Sequence, residues 1–154
     1  MSASFPTVTG SDLMRRKRTL PADFEGEVNL VLIAFQQWQQ SQIDTWLSLA
    51  DQLEQAYVGF CYYELPVIQR LNFVARTFIN EGMRAGIPDS SARSRTITLY
   101  LDKEPFRRAL DLPDEEQVYA LLIDRQGTIL WRASGAYASD KAAELPHVVE
   151  YHLS

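Results

Sequence analysis

Cysteine is nearly absent from this chain: there is one, Cys61, in 154 residues. A single thiol excludes an intramolecular disulfide and a Cys-x-x-Cys redox pair, and it denies a zinc site its usual ligands. Histidine is almost as scarce. His147 and His152 stand near the C-terminus at a spacing that shares a helical face less well than a separation of four would. They read as surface residues rather than metal ligands. Long hydrophobic runs are missing too. The longest, Val28 to Phe35, is broken by Asn29 and falls far short of the ~20 residues that span a bilayer. The opening Met1-Ser-Ala-Ser-Phe-Pro6 has no basic region ahead of an apolar stretch, unlike a signal peptide. The expectation is a cytoplasmic protein with no metal, no cofactor and no direct membrane insertion.

Positive charge is not in excess. Fifteen basic residues face twenty acidic ones, a net charge of −5, so a nucleic-acid partner is not expected. The sharpest charge run is Arg15-Arg-Lys-Arg18. A nucleic-acid or anionic-lipid contact there competes with a simpler reading, a solvated edge whose cations discourage strand pairing, and the simpler reading is favoured.

What is present is an ordinary globular balance. Hydrophobic residues make up 46% of the chain, enough to fill a core without covalent staples. No repeat or Gly/Ser linker interrupts it, so residues 11–154 read as one domain behind a flexible arm, residues 1–10. Residues 12–26 suit two short extended pieces or a hairpin. Asn29 to Phe35 reads as a strand buried on both faces. Ser41 is placed to cap a helix, with Asp44 completing an approximate capping box. Ile43, Trp46, Leu47, Ala50 and Leu53 then recur at helical spacing. Tyr57 to Tyr63 is a second strand, and Pro66 opens a long helix with Leu71, Val74, Ala75 and Phe78 on its buried stripe. A polar loop, 89–93, precedes a third strand, Thr96 to Leu101, and a short helix, Lys103 to Leu110. Val118 to Ile123 and Thr128 to Trp131 flank a Gly-containing turn and form a hairpin. A last helix runs from Ser139 toward His147 and breaks near Pro146. Strands separated by helices pair in parallel, and the closing hairpin adds an antiparallel edge. The fold class is α/β, a three-layer α/β/α sandwich around a mixed sheet of about five strands.

Several segments resemble a known superfamily. Leu13 to Phe35 resembles the opening of thioredoxin-like domains of the peroxiredoxin-like branch, with a Leu-Pro before a loop and a buried strand. Ile123-Asp-Arg-Gln-Gly-Thr-Ile129 resembles their closing hairpin, and Leu99 to Leu112 the strand and helix this branch inserts. Within that superfamily the chain is similar to the assembly factor family of the mitochondrial ATP synthase and its bacterial relatives. The matching pieces are Leu20-Pro21, Phe35, Trp46, Glu64-Leu-Pro66, Met83-Arg84, Gly127-Thr-Ile-Leu-Trp131 and Gly135. The resemblance implies a thioredoxin-like fold that acts by protein contact rather than by catalysis.

A thioredoxin site needs a thiolate at the N-terminus of the first helix, where the helix dipole lowers its pKa. The two corresponding positions fall near Gln40 and Ile43, and the facing cis-proline falls near Val118. None of these residues can do that work. The peroxiredoxin pattern laid on Gln37 to Asp44 puts Ser41 at the hydroxyl position but Asp44 where the cysteine belongs. Cys61 is left as the redox candidate, and mid-strand it reads as a small buried hydrophobe.

The amide-rich Gln36-Gln-Trp-Gln-Gln-Ser-Gln42 occupies the place where the superfamily does its chemistry. Gln36, Gln37, Trp38, Gln40 and Ser41 are therefore candidates for binding a partner or ligand, against the plainer reading of a polar turn with Trp38 half buried. Glu64 would face the same end of the sheet and join Gln40 and one of Arg76, Arg84 or Arg95 in a small polar site. Equally, Glu64 pairs with an arginine or caps a helix. The expected function is a redox-inactive module that binds a protein or protein complex, with a membrane-associated complex and a homodimer both compatible. A thiol oxidoreductase or peroxiredoxin-like enzyme using Cys61 is the alternative, and a small-ligand carrier the third reading.

Overall fold

The computed structural model describes residues 4–70 and 95–153. Three stretches of the sequence dictate the centre. The continuous apolar run becomes β3 (Val28–Ala34), whose seven residues are all buried. It pairs in parallel with β4 (Phe60–Gln69) on one side and antiparallel with β6 (Tyr119–Asp124) on the other. A strand flanked on both edges and covered on both faces has no solvated position, which is why no alternation shows in its sequence.

Around this centre the sheet grows to seven strands, in the order β2-β1-β5-β4-β3-β6-β7, rather than about five. The added pair is an N-terminal hairpin, β1 (Val8–Asp12) and β2 (Lys17–Leu20). It docks through β1 on β5 (Ile97–Leu101), which runs parallel to β4. Of the residues assigned to a flexible arm, 4–10 are instead packed into the fold. Ser4 bridges Thr128, Phe5 is buried, and Val8 starts a strand. Phe5 packs edge-on to Phe24 and Phe106, and one aromatic of this size removes enough apolar surface from water to hold a short segment down.

The closing hairpin forms as its turn residues require. β6 and β7 (Ile129–Ser134) flank a tight turn in which Gly127 adopts φ +87°, a backbone conformation that strains other residues. Asp124 Oδ1 accepts the N–H groups of Gln126 and Thr128, both at 2.9 Å, and so fixes the turn.

Helices cover both faces. On one, α1 (Gln40–Asp44), α2 (Leu47–Ala56) and α4 (Leu145–Leu153) bury Ile43, Trp46, Leu53, Leu145 and Val149 against Leu30, Leu32, Phe60 and Leu122. On the other, α3 (Lys103–Ala109) places Phe106 over Val31, Ile33, Leu65 and Leu121. The class is α/β, a helix–sheet–helix sandwich.

Three local expectations change. Pro66 does not open a helix: β4 continues through it to Gln69, beside Ala34 of β3. Proline lacks the N–H of a ladder, and Pro66 lies between the Glu64–Thr96 bridge and the Val67–Leu99 pair that restarts the contact with β5. The stripe Leu71, Val74, Ala75, Phe78 and the loop 89–93 lie outside the described residues. Ser41 is not a cap, because a 3₁₀ turn (Gln37–Gln39) precedes it and puts it inside α1. The last helix starts at Leu145, so Pro146 sits in its first turn, where a missing N–H costs nothing, and does not break it.

Candidate functional site

At the C-terminal end of β3 the chain turns through Gln36 into the 3₁₀ turn and α1. This is the crevice where open α/β sheets hold ligands, and no thiol is present in it. Its organiser is Gln39, an amide the sequence reading passed over. Gln39 is fully buried; its Oε1 accepts the N–H of Phe35 at 2.8 Å and that of Gln36 at 3.2 Å. Its Nε2 donates to the carbonyl of Glu115 at 2.7 Å. One side chain thus satisfies two backbone donors that the end of a strand leaves open, and ties the turn to the segment before β6.

A signal for this was present. Gln39 lies four residues before Ile43 and seven before Trp46, so the buried stripe of α1 and α2 extends back to it. Lys103 secures the same point from the other face. Its Nζ donates to the carbonyl of Phe35 at 2.7 Å and lies 3.4 Å from the carboxylate of Glu115. Arg107 approaches that carboxylate at 3.4 Å as well.

The predicted residues sort around this anchor. Gln37, Trp38, Gln40 and Ser41 are exposed, and Gln36 is half-buried at the start of the turn. Trp38 is 56% exposed, so it is not the half-buried indole of a simple polar turn. The hydroxyl of Ser41 donates to the carbonyl of Trp38 at 3.4 Å. Gln40 and Glu64 do meet: Gln40 Nε2 donates to Glu64 Oε1 at 2.9 Å and to Asp44 Oδ1 at 3.0 Å. One amide therefore bridges two carboxylates. Burial pushes the Glu64 carboxyl above its ordinary range and Asp44 adds to this, while the Gln40 hydrogen bond and Arg95 oppose it.

Arg95 is not the direct partner of Glu64. Its guanidinium forms two hydrogen bonds to Glu54 on α2, at 2.9 and 3.2 Å, and lies 4.1 Å from the centre of the Tyr62 ring. Stacking and a bidentate carboxylate make this a fastening of the chain onto α2. Arg76 and Arg84 lie outside the described residues.

Cys61 stands apart from the crevice. It is the second residue of β4 rather than mid-strand, level with Asn29 near the start of β3, and is half-buried rather than buried, packing against the cluster on the α3 face. Burial raises its thiol pKa, and Glu54 and Glu25 raise it further, against weaker opposition from Arg95 and Arg125. Those influences favour the thiol over the thiolate. Behind the crevice, Trp46 Nε1 donates to the carbonyl of Gly135 at 3.0 Å, and Thr45 Oγ1 accepts the N–H of Tyr137 at 2.9 Å. The loop after β7 is thereby fixed to the α1–α2 junction. Val118, at the position expected to face the crevice, is a buried residue of the helix-side core. Among the described residues no group of three or more His, Cys, Asp or Glu side chains is placed to hold a metal, and no helix is long and apolar enough to cross a membrane.

Sheet order, flanking helices and the turn after β3 define the class: this is a thioredoxin-like protein, and solved structures agree. BsSco, a member of the Sco family of cytochrome c oxidase assembly proteins, matches with a TM-score of 0.66 at 12% identity, over 99% of this chain and 95% of that one. A thiol:disulfide interchange protein from Bacteroides sp. matches with a TM-score of 0.58 at 18% identity, over 99% and 90%. The exposed lipoprotein thioredoxin Etrx1 of Streptococcus pneumoniae strain TIGR4 matches with a TM-score of 0.59 at 10% identity, over 92% and 98%. At such identities these likenesses concern the fold. No curated protein matches the sequence. The profile of the ATP10 protein family matches residues 1–151, and the chain belongs to that family.

Proposed function

We propose that this protein is an assembly factor that works by holding another polypeptide, as membership of the ATP10 family suggests for the ATP synthase, and that it carries no thiol chemistry. The observation that supports this best is the crevice itself. Where a thiolate would have to sit, the buried amide of Gln39 locks the backbone and exposed Trp38, Gln37, Gln40 and Ser41 face outward. An exposed indole on a rigid support, ringed by amides, is the composition of a binding hot spot. A rigid turn also loses little freedom on binding, so more of the contact energy appears as affinity. On this reading Gln36, Gln37, Trp38, Gln40, Ser41 and Glu64 form the contact surface, and Cys61 is a half-buried residue packed against the core.

The test is cross-linked affinity capture from the source cells with mass-spectrometric identification. The expected result is one defined protein complex, lost with Trp38→Ala and with Gln40→Ala, and retained with Cys61→Ser. Recovery that survives both crevice variants would overturn the assignment of the surface. Dithiol–disulfide or peroxide turnover by the pure protein that disappears in Cys61→Ser would overturn the whole reading.

A further inference from the structure

From Gln37 to Ala56 the backbone is helical through the 3₁₀ turn, α1 and α2, with only Thr45 and Trp46 between the two α-helices. In its opening turns Gln39, Ile43 and Trp46 are buried, which leaves two exposed stripes side by side. One is Trp38, Ser41 and Thr45; the other is Gln37, Gln40 and Asp44.

The first stripe ends on a second aromatic. Thr45 Oγ1 accepts the N–H of Tyr137 at 2.9 Å, and the Tyr137 ring stands edge-on to buried Trp46, with centroids 5.5 Å apart. Trp38 is 56% exposed and Tyr137 40%. A large ring therefore marks each end of the stripe, and the small side chains of Ser41 and Thr45 lie along it between them. Seven residues of helix separate Trp38 from Thr45, a rise of about 10 Å.

The backbone groups that could extend the sheet at this point are already taken. Gln39 Oε1 accepts the N–H groups of Phe35 and Gln36, Lys103 donates to the Phe35 carbonyl, and the Gln39 N–H donates to that of Gln36 at 3.0 Å. A partner cannot add a strand here, so side chains must recognise it. Alongside, Gln40 joins Asp44 to Glu64, and among the described residues neither carboxylate forms an ion pair with a cation.

Resting on the protein-contact reading above, we propose that this face takes a proline-rich segment of the partner in the polyproline II conformation, flanked by a lysine or arginine. Polyproline II has three residues per turn and rises 3.1 Å per residue, so every third residue returns to the same side about 9 Å on. That spacing matches the two rings. Having no internal hydrogen bonds, such a segment presents carbonyls to side-chain donors, here the Trp38 indole and the Gln37 amide, while its rings pack on aromatic faces. It is also preformed, so little freedom is lost on docking. The flanking cation is selected by charge complementarity with exposed Asp44.

The experiment titrates the full chain, by isothermal calorimetry, with an oligoproline of about three turns carrying an arginine at each end. A peptide of equal length and charge, with glycine and serine in place of proline, is the comparison. Binding of the oligoproline and not of the glycine–serine peptide is expected. Trp38→Ala and Tyr137→Ala should each weaken it about tenfold or more. Ser41→Arg, which fills the stripe from an exposed position, should do the same and serves in place of Tyr137→Ala if that variant does not fold. Asp44→Asn should weaken binding about threefold, and should leave an oligoproline without arginines unaffected. No binding, equal binding of the glycine–serine peptide, or insensitivity to Trp38→Ala and Ser41→Arg would overturn the proposal. An equal effect of Asp44→Asn with and without the arginines would overturn the flanking cation. Capture of a complex that depends on Trp38, without oligoproline binding, strikes the segment class alone. Oligoproline binding with no complex captured strikes the assembly role alone.

Discussion

Replacing Gln39 by alanine would strip three hydrogen bonds from a fully buried site and leave the N–H groups of Phe35 and Gln36 facing a void. An unsatisfied buried donor costs about 1–3 kcal/mol, so Gln39→Ala should lower the unfolding free energy by about 2–4 kcal/mol, measured by urea denaturation. Gln40→Ala, at an exposed position, should change it by less than about 0.5 kcal/mol. The two glutamines are adjacent and chemically identical, and composition alone does not separate them. Only the stripe through Ile43 and Trp46 does, and it requires treating an amide as a core residue. Glu64 offers a second check. Its folded pKa is raised, chiefly by burial, so the folded state holds the proton more tightly than the unfolded chain does. Stability should therefore fall as pH rises from the ordinary value of 4.5 through the raised one, and stay level above it. Glu64→Gln, which keeps an oxygen for Gln40 to donate to, should abolish that slope; a wild type that gains on the variant over this interval would contradict the burial argument.

At the scale of elements, what could be read in the sequence followed from how each segment meets water. β3, β5, α3 and the β6–β7 hairpin fall where hydrophobic runs, helical spacing and the Gly127 turn put them, because each pattern is local. β1 was hidden because its five residues, Val-Thr-Gly-Ser-Asp, carry little apolar signal, and its strand state comes from pairing with β2 on one side and with β5, nearly ninety residues on, on the other. Pro66 misled for a related reason: its fixed φ is permitted in both a helix start and a strand, and only the neighbours decide. The β1–β5 contact depends on Gly10. A Cβ there would stand 2.6 Å from the carbonyl oxygen of Thr98 and 2.7 Å from Leu99 Cδ2. The backbone oxygen cannot step aside as a side chain would. Gly10→Ala should therefore destabilise by about 1–3 kcal/mol, with the loss of hydrogen-exchange protection concentrated in β1, β2 and β5.

For the molecule as a whole, the seven-stranded sheet sets the crevice beside its centre and the β1–β2 hairpin at one edge. The crevice, with Glu64 and Asp44 joined by an amide, lies where β3 ends, and the turn of the β1–β2 hairpin lies across β5 from it, with Asp12 opposite Ile97, next to the Glu64–Thr96 bridge. Neither was fully legible from the chain, since sequence placed Gln40 beside Glu64 but could not say which way the hairpin pointed. The position of β3 has a separate consequence for how the protein is made. Its edge away from β4 is paired only when β6, about ninety residues further along the chain, arrives. On a ribosome that edge is synthesised early and stays unpaired until β6 has emerged. A protein proposed to shepherd another polypeptide thus begins its own existence as an aggregation-prone nascent chain, and its yield in the cell should depend on how well that interval is protected.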